Sequence, residues 1–296
     1  MTEVVTMPPG AALPADEVLA RSGSNFRTAF VCLDAARREG MTAIYAFCRV
    51  ADDAADDTPD AETGRQHIAF WREELHAAAA GTARTPVGQT LGATIARFGT
   101  DVAALDALLD GVAMDLEPQG CEDEAELRHY CDCVASAVGR ACLPVLGATG
   151  AAAVSFANAL GQALQFTNIL RDLRGDALEG RVYAPRTWLR DAGVEVEWLR
   201  GEGPAEVYRD GGPVAELRAR LARAARSDFL ESRAALLQLP RSGRRALVPA
   251  RIMGAVYRSL LDRLERQGGA LVEPRTRVPK IVKLWCALRI FLGATA

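Results

Sequence analysis

The sequence predicts a single all-α domain, and three observations carry that prediction. Ala, Leu and Arg recur throughout the 296 residues while β-branched residues are confined to short runs, which favours helices. Hydrophobic residues make up 49% of the chain, enough to bury one large core. No internal repeat and no long polar linker divides the sequence, so one domain over residues 16–296 is the simplest organisation. Residues 1–15, rich in Pro and lacking both a basic start and a long apolar run, are expected to be disordered.

Apolar spacing predicts helices at 14–22, 26–38, 41–57, 64–80, 86–98, 101–114, 122–146, 150–177, 185–192, 213–237, 243–268 and 278–292. The breaks follow known chain punctuation. Gly40 is expected to separate the second helix from the third. Residues 81–85 form a loop that ends at Pro86, a residue suited to a first helical turn. Glu117-Pro118-Gln119-Gly120 interrupts the chain before Glu122-Asp123-Glu124, whose charge suits a helix N-terminus. Residues 201–213 are the longest irregular stretch. No run of 18 or more uncharged apolar residues exists, so no transmembrane helix is expected.

Charge and cysteine content narrow the function. Lys and Arg number 35 against 38 Asp and Glu, a net charge of -3, without the basic surplus of a nucleic-acid binder. Seven cysteines, an odd count, read as reduced thiols in a cytoplasmic protein. Cys131 and Cys133 have no second Cys or His pair at zinc spacing and read as small apolar residues of a helix. His67, His76 and His129 adjoin no recognisable nucleophile.

Two acidic clusters carry the chemistry. In Tyr45-Ala46-Phe47-Cys48-Arg49-Val50-Ala51-Asp52-Asp53-Ala54-Ala55-Asp56-Asp57, Asp52 and Asp56 lie one helical turn apart on one face. Like charges so spaced cost a few tenths of a kcal/mol, and these sit late in a helix, where the macrodipole disfavours them. A solvated acidic helix end is the plain alternative; the apolar run Ala43–Phe47 just before it argues for a buried helix that holds a cation. In the second cluster Gln165, Asn168, Asp172 and Asp176 form a polar stripe inside an apolar helix. Such a stripe is costly unless a wet, ion-binding cavity satisfies it. Facing one another, the two clusters make a cage of hard oxygen ligands suited to Mg²⁺ bridging substrate phosphates, with Arg49, Arg171 and Arg181 to hold the remaining phosphate charge. The pattern reads as binding and ionisation of a diphosphate.

From about Ser22 to Arg289 these motifs resemble the squalene/phytoene synthase family. Ser22-Gly23-Ser24-Asn25-Phe26 is similar to its Ser-rich opening, and Tyr45 to Asp56 to its first aspartate-rich motif. Tyr130 to Gly139 resembles its middle helix, and Gln165 to Asp176 with Gly180-Arg181-Val182-Tyr183-Ala184-Pro185 its second motif and trailing signature. Tyr257 and Arg275 fall near later family positions. Asn25, Ser136 and Ala184 depart from the residues common there, and none is an expected metal ligand. The resemblance implies an isoprenoid-synthase helical bundle around a central cavity. It implies Asp52, Asp56, Asn168, Asp172 and Asp176 as metal ligands. Tyr45, Arg49, Tyr130, Gln165, Arg171 and Tyr183 become catalytic candidates. Ser24, Phe26, Arg49, Val134, Gln165, Asn168, Arg171, Arg181, Tyr257 and Arg275 become substrate-binding candidates, with Phe47 and Leu164 as further wall residues.

Arg37 to Met41, Met114-Asp115-Leu116 and Lys283 to Arg289 lean toward the bacterial members that join two farnesyl diphosphates head to head into presqualene diphosphate for hopanoid synthesis. The implied cofactor is Mg²⁺, with Mn²⁺ as substitute; NADPH is needed only if the reaction proceeds to squalene, otherwise left to a downstream squalene-forming enzyme. Phytoene synthase acting on geranylgeranyl diphosphate and a complete squalene synthase remain alternatives. A non-catalytic scaffold on the same fold is disfavoured by the intact aspartates, and a terpene cyclase by the form of the second motif. The mixed basic and apolar stretch 278–296 reads either as an amphipathic helix touching the inner face of a membrane or as a core-docked helix.

Overall fold

The computed structural model describes residues 7–21, 30, 32–116 and 120–293, and every regular element among them is helical. The helices are α1 (Ala15–Arg21), α2 (Ala35–Asp56), α3 (Ala61–Ala80), α4 (Pro86–Phe98), α5 (Val102–Met114), α6 (Glu124–Cys131), α7 (Ala137–Leu146) and α8 (Ala151–Leu178). They continue as α9 (Arg186–Ala192), α10 (Val196–Leu199), α11 (Pro213–Gln238), α12 (Arg241–Ala246), α13 (Val248–Glu265) and α14 (Lys280–Phe291).

Short polar side chains start these helices. Asp34, Asp60, Thr85, Asp101 and Asp123 each accept a hydrogen bond from a backbone N–H of the first turn that follows. Each such cap contributes about 1 kcal/mol. Helix α8 packs chiefly on α11 and also on α6, α7, α10 and α13, while α2 packs on α3, α4, α5 and α7. Trp71, Trp188, Phe47, Phe166 and Ile44 are wholly buried in the shared core.

Three expectations are corrected. Gly40 does not break a helix: α2 runs through it. A Cβ there would lie 3.0 Å from Val145 Cγ1 and 3.1 Å from Phe98 Cε2, so the glycine allows close packing of α2 on α7 and α4. The chain is not free over the whole of residues 1–15, because Pro8, Ala11 and Ala15 are buried against the domain. The helix expected over 243–268 is two, α12 and α13, parted at Leu247 with Pro249 in the first turn of α13.

The helix expected over 122–146 is continuous but irregular. Asp132–Ser136 forms one wide π turn between α6 and α7. Two glycines hold it. A Cβ on Gly111 of α5 would lie 2.6 Å from Val134 Cγ1, and one on Gly161 of α8 would lie 2.5 Å from Ser136 Cα. The Ser136 hydroxyl donates to the Asn158 carbonyl at 2.9 Å, fixing the turn to α8.

Candidate active site

On α2, Arg49, Asp52 and Asp56 follow the helical repeat and share one face; on α8, Gln165, Asn168, Asp172 and Asp176 do the same. The fold turns these faces toward each other. Together with Asp115, Tyr130, Arg171, Arg181, Tyr183 and Arg275 they line a charged cavity of about 390 Å³. A second, apolar cavity of about 350 Å³ is lined by residues that include Phe30, Met41, Tyr45, Val134, Leu164, Met253 and Tyr257. Arg49, Asp52, Gln165 and Asn168 line both. The site is therefore a pair of adjoining cavities, one polar and one greasy, that meet at these four residues.

In the charged end each acidic motif is held by arginine. Arg181 donates from Nη1 to Asp56 Oδ1 at 2.7 Å and also pairs with Glu179, joining the end of α2 to the end of α8. Arg171 donates from Nε to Asp172 Oδ1 at 2.9 Å, and Arg275 Nε lies 3.3 Å from the same oxygen. Arg49 pairs with Asp53 rather than Asp52. Asp52 opens onto the cavity, yet protein surrounds that cavity, and desolvation pushes its carboxyl up to about 7, with Arg49 acting the other way. Asp176 is likewise pushed up to about 7, by burial first and then by Asp172.

Uncompensated negative charge here suits a divalent cation. The Asn168 Oδ1 atom is buried without a hydrogen-bond partner, while Asn168 Nδ2 donates to Gln165 Oε1 at 3.3 Å. Among the described residues no three acidic, His or Cys side chains converge on one point. A magnesium ion held here would take one or two of these carboxylates and complete its shell with water and phosphate oxygens.

Sequence reasoning missed the centre of the site. Asp115, at the C-terminal end of α5, accepts hydrogen bonds from the Tyr183 hydroxyl at 2.8 Å and the Tyr130 hydroxyl at 3.1 Å. The two rings stack, centroids 5.0 Å apart. Burial raises the Asp115 carboxyl above its ordinary range, and burial and Asp115 raise both phenols. A signal was present in the sequence: an acid at the wrong end of a helix for the macrodipole, in an apolar context.

Of the expected residues, Tyr45, Val134, Leu164 and Tyr257 line the apolar cavity and not the charged one. The Tyr257 hydroxyl also hydrogen-bonds Arg171. Phe47 is corrected from cavity wall to core: it is wholly buried against Trp71, with ring centroids 6.3 Å apart. Ser24 and Phe26 lie outside the described residues.

Comparison with known proteins agrees with this geometry. The squalene/phytoene synthase family profile matches residues 19–282. The presqualene diphosphate synthase of Zymomonas mobilis is 37% identical over 90% of this chain and 89% of its own length. The phytoene synthase of Cereibacter sphaeroides is 32% identical over 97% of this chain and 79% of its own. A dehydrosqualene synthase crystal structure in complex with ligand superposes with a TM-score of 0.81 at 25% identity, covering 94% of each chain. Sequence likeness over nearly the whole length and a shared helical architecture lead to one conclusion: this chain belongs to the squalene/phytoene synthase family.

Proposed function

We propose that this prenyltransferase condenses two farnesyl diphosphates head to head into presqualene diphosphate. The observation that carries the reading is the two-part cavity, whose charged and apolar ends share Arg49, Asp52, Gln165 and Asn168. It has the form of a prenyl diphosphate: an anionic head and a long hydrocarbon tail. Three relatives named presqualene diphosphate synthase, 34–37% identical, support the product.

Asp52, Asp56, Asp172 and Asp176, with Asn168, would hold Mg²⁺ or Mn²⁺, which when bound neutralises diphosphate charge as the ester bond breaks. Arg49, Arg171, Arg181 and Arg275 hold the remaining phosphate oxygens. Loss of diphosphate from one substrate leaves an allylic cation. The 2,3-double bond of the other substrate attacks it, and loss of one proton closes the cyclopropane. The apolar walls exclude the water that would quench the cation. Tyr130 and Tyr183 are proton donors to Asp115, and their raised phenols do not ionise on their own. Either hydroxyl accepts the departing proton on its lone pair while passing its own to Asp115. The seven free thiols fit a cytoplasmic setting.

The test is incubation of the purified protein with Mg²⁺ and farnesyl diphosphate, with and without NADPH, products read by mass spectrometry. Presqualene diphosphate in both tubes is the expected outcome. Squalene formed only with NADPH makes the chain a complete squalene synthase. Phytoene from geranylgeranyl diphosphate, with farnesyl diphosphate untouched, overturns the substrate; the phytoene synthase relatives keep that second reading open. No turnover of either substrate overturns the catalytic reading.

A further inference from the structure

The helix α14 presents an apolar face that none of the described residues covers. Ile281, Leu284, Trp285, Leu288, Phe291 and Leu292 are between 45% and 78% exposed. They are six of the thirteen large apolar side chains exposed among the described residues; the other seven are scattered over the chain. At about 100° per residue these six fall within an arc of roughly 120°, a continuous stripe. Val278 and Ile290 are buried and Val282 packs against the core, so the opposite face fastens the helix to the domain, chiefly to α13. The helix is thus held by one face and bare on the other. The core-docked and surface-active readings of this segment are both met, on different sides.

Charge identifies the occupant. Residues 274–296 contain Arg275, Arg277, Lys280, Lys283 and Arg289 and no acidic residue, in a chain whose net charge is -3. On the helical repeat Lys280 flanks one edge of the stripe and Arg289 the other. Arg277 and Lys280 also crowd Lys283, which burial and these like charges hold below its ordinary value. Long basic side chains bordering an apolar stripe lay their stems along it and reach anionic headgroups with their tips. A second copy stacked on the same face would bring these cations together, an unfavourable match at a two-fold interface. No helix among the described residues is long and apolar enough to cross a membrane, so the contact is peripheral.

We propose that α14 docks the enzyme on the surface of an anionic lipid bilayer, with Ile281, Leu284, Trp285, Leu288 and Phe291 inserted at the headgroup boundary and Lys280 and Arg289 on lipid phosphates. This contact is independent of the reaction the cavity performs.

The test is vesicle flotation of the full chain. Vesicles of phosphatidylcholine mixed with phosphatidylglycerol are compared with vesicles of phosphatidylcholine alone. The wild-type protein is expected to float with the anionic vesicles, to float less with neutral ones and to be released by salt. Leu284→Glu/Trp285→Glu, on exposed positions, is expected to remove flotation. Lys280→Glu/Arg289→Glu is expected to lower partitioning to anionic vesicles by about tenfold while leaving neutral vesicles unaffected. Unchanged circular dichroism in both variants guards against unfolding. Addition of anionic vesicles is expected to shift wild-type tryptophan emission to the blue, and Trp285→Phe to abolish the shift. Recovery of the wild-type protein in the soluble fraction with both vesicle types overturns the proposal. So does a dimer, measured by light scattering, that Leu284→Glu/Trp285→Glu dissociates, since the face is then a self-interface. Equal binding by wild type and both variants overturns it as well.

Discussion

Asp115 shows how a single residue can cost the fold and serve the site. Its carboxyl is buried between two phenols, and burial outweighs their hydrogen bonds in setting its proton affinity. Replacement by Asn keeps an acceptor of the same shape but removes the charge that drives a proton along Tyr130 or Tyr183. Asp115→Asn is therefore expected to lower kcat by about a hundredfold or more with KM little changed. Its melting temperature should equal or exceed that of the wild type; an unchanged kcat would remove the relay. The aspartates give a second prediction. Asp52 and Asp176 titrate near 7 in the metal-free fold, above their ordinary value of 3.8. A raised carboxylate contributes stability that is fully present below its unfolded value and lost as pH rises through the folded one. The metal-free protein should therefore melt at progressively lower temperature as pH is raised from about 4 to about 8, and added Mg²⁺ should flatten that slope. A melting temperature that rises over the same range contradicts the assignment. The aspartates were legible in sequence because their four-residue spacing is a property of the helix alone. Asp115 was not, because its partners lie 15 and 68 positions away and only the fold joins them.

At the scale of the element, legibility followed the source of the information. Helices α4 and α5 match their expected ranges to within one residue, since Pro86, Asp101 and the flanking glycine act locally. Gly40 misled because its role is tertiary: the propensity argument against glycine in a helix, about 1 kcal/mol, is outweighed by the approach of Val145 and Phe98 that its missing side chain permits. The π turn at Asp132–Ser136 could not be read either, as nothing in the local sequence distinguishes it from regular helix. Its consequence for energetics is direct. Gly161→Ala places a carbon 2.5 Å from Ser136 Cα, a backbone atom that cannot rotate away. The substitution is expected to cost about 1–3 kcal/mol, as overpacking does, and to displace Val134 and Ala135 from the apolar wall. Denaturant melts measure the first effect, and product chain length measured with mixed prenyl diphosphates reads the second. A fully stable Gly161→Ala enzyme with unaltered products would show that the turn yields freely.

On the scale of the molecule, two adjoining cavities of opposite character are assembled from helices at opposite ends of the chain. The segment leading to α14 supplies Arg275 to the charged end, and α13 supplies Met253 and Tyr257 to the apolar one. Truncation before 275 would therefore remove a site residue as well as the docking helix. The general outline, one helical domain with two facing acidic helices, followed from periodicity and composition. The joining of the polar and greasy ends did not, because it depends on how α2, α8 and α13 cross. The arginine pairs carry one more consequence. Arg181 on Asp56 and Arg171 and Arg275 on Asp172 mean that these two carboxylates and three arginines are already engaged within the protein, while Asp52 and Asp176 are not paired with arginine among the described residues. Binding is then an exchange. A divalent ion taking Asp56 or Asp172 would release an arginine, and a diphosphate taking that arginine would release the carboxylate. Each ligand prepares the place of the other, and thermodynamic linkage requires the two effects to be equal. Calorimetric titration with Mg²⁺ and inorganic pyrophosphate should show each tightening the other by the same factor, and Arg181→Gln should shrink that factor; independent binding of the two would show that the pairs are not exchanged.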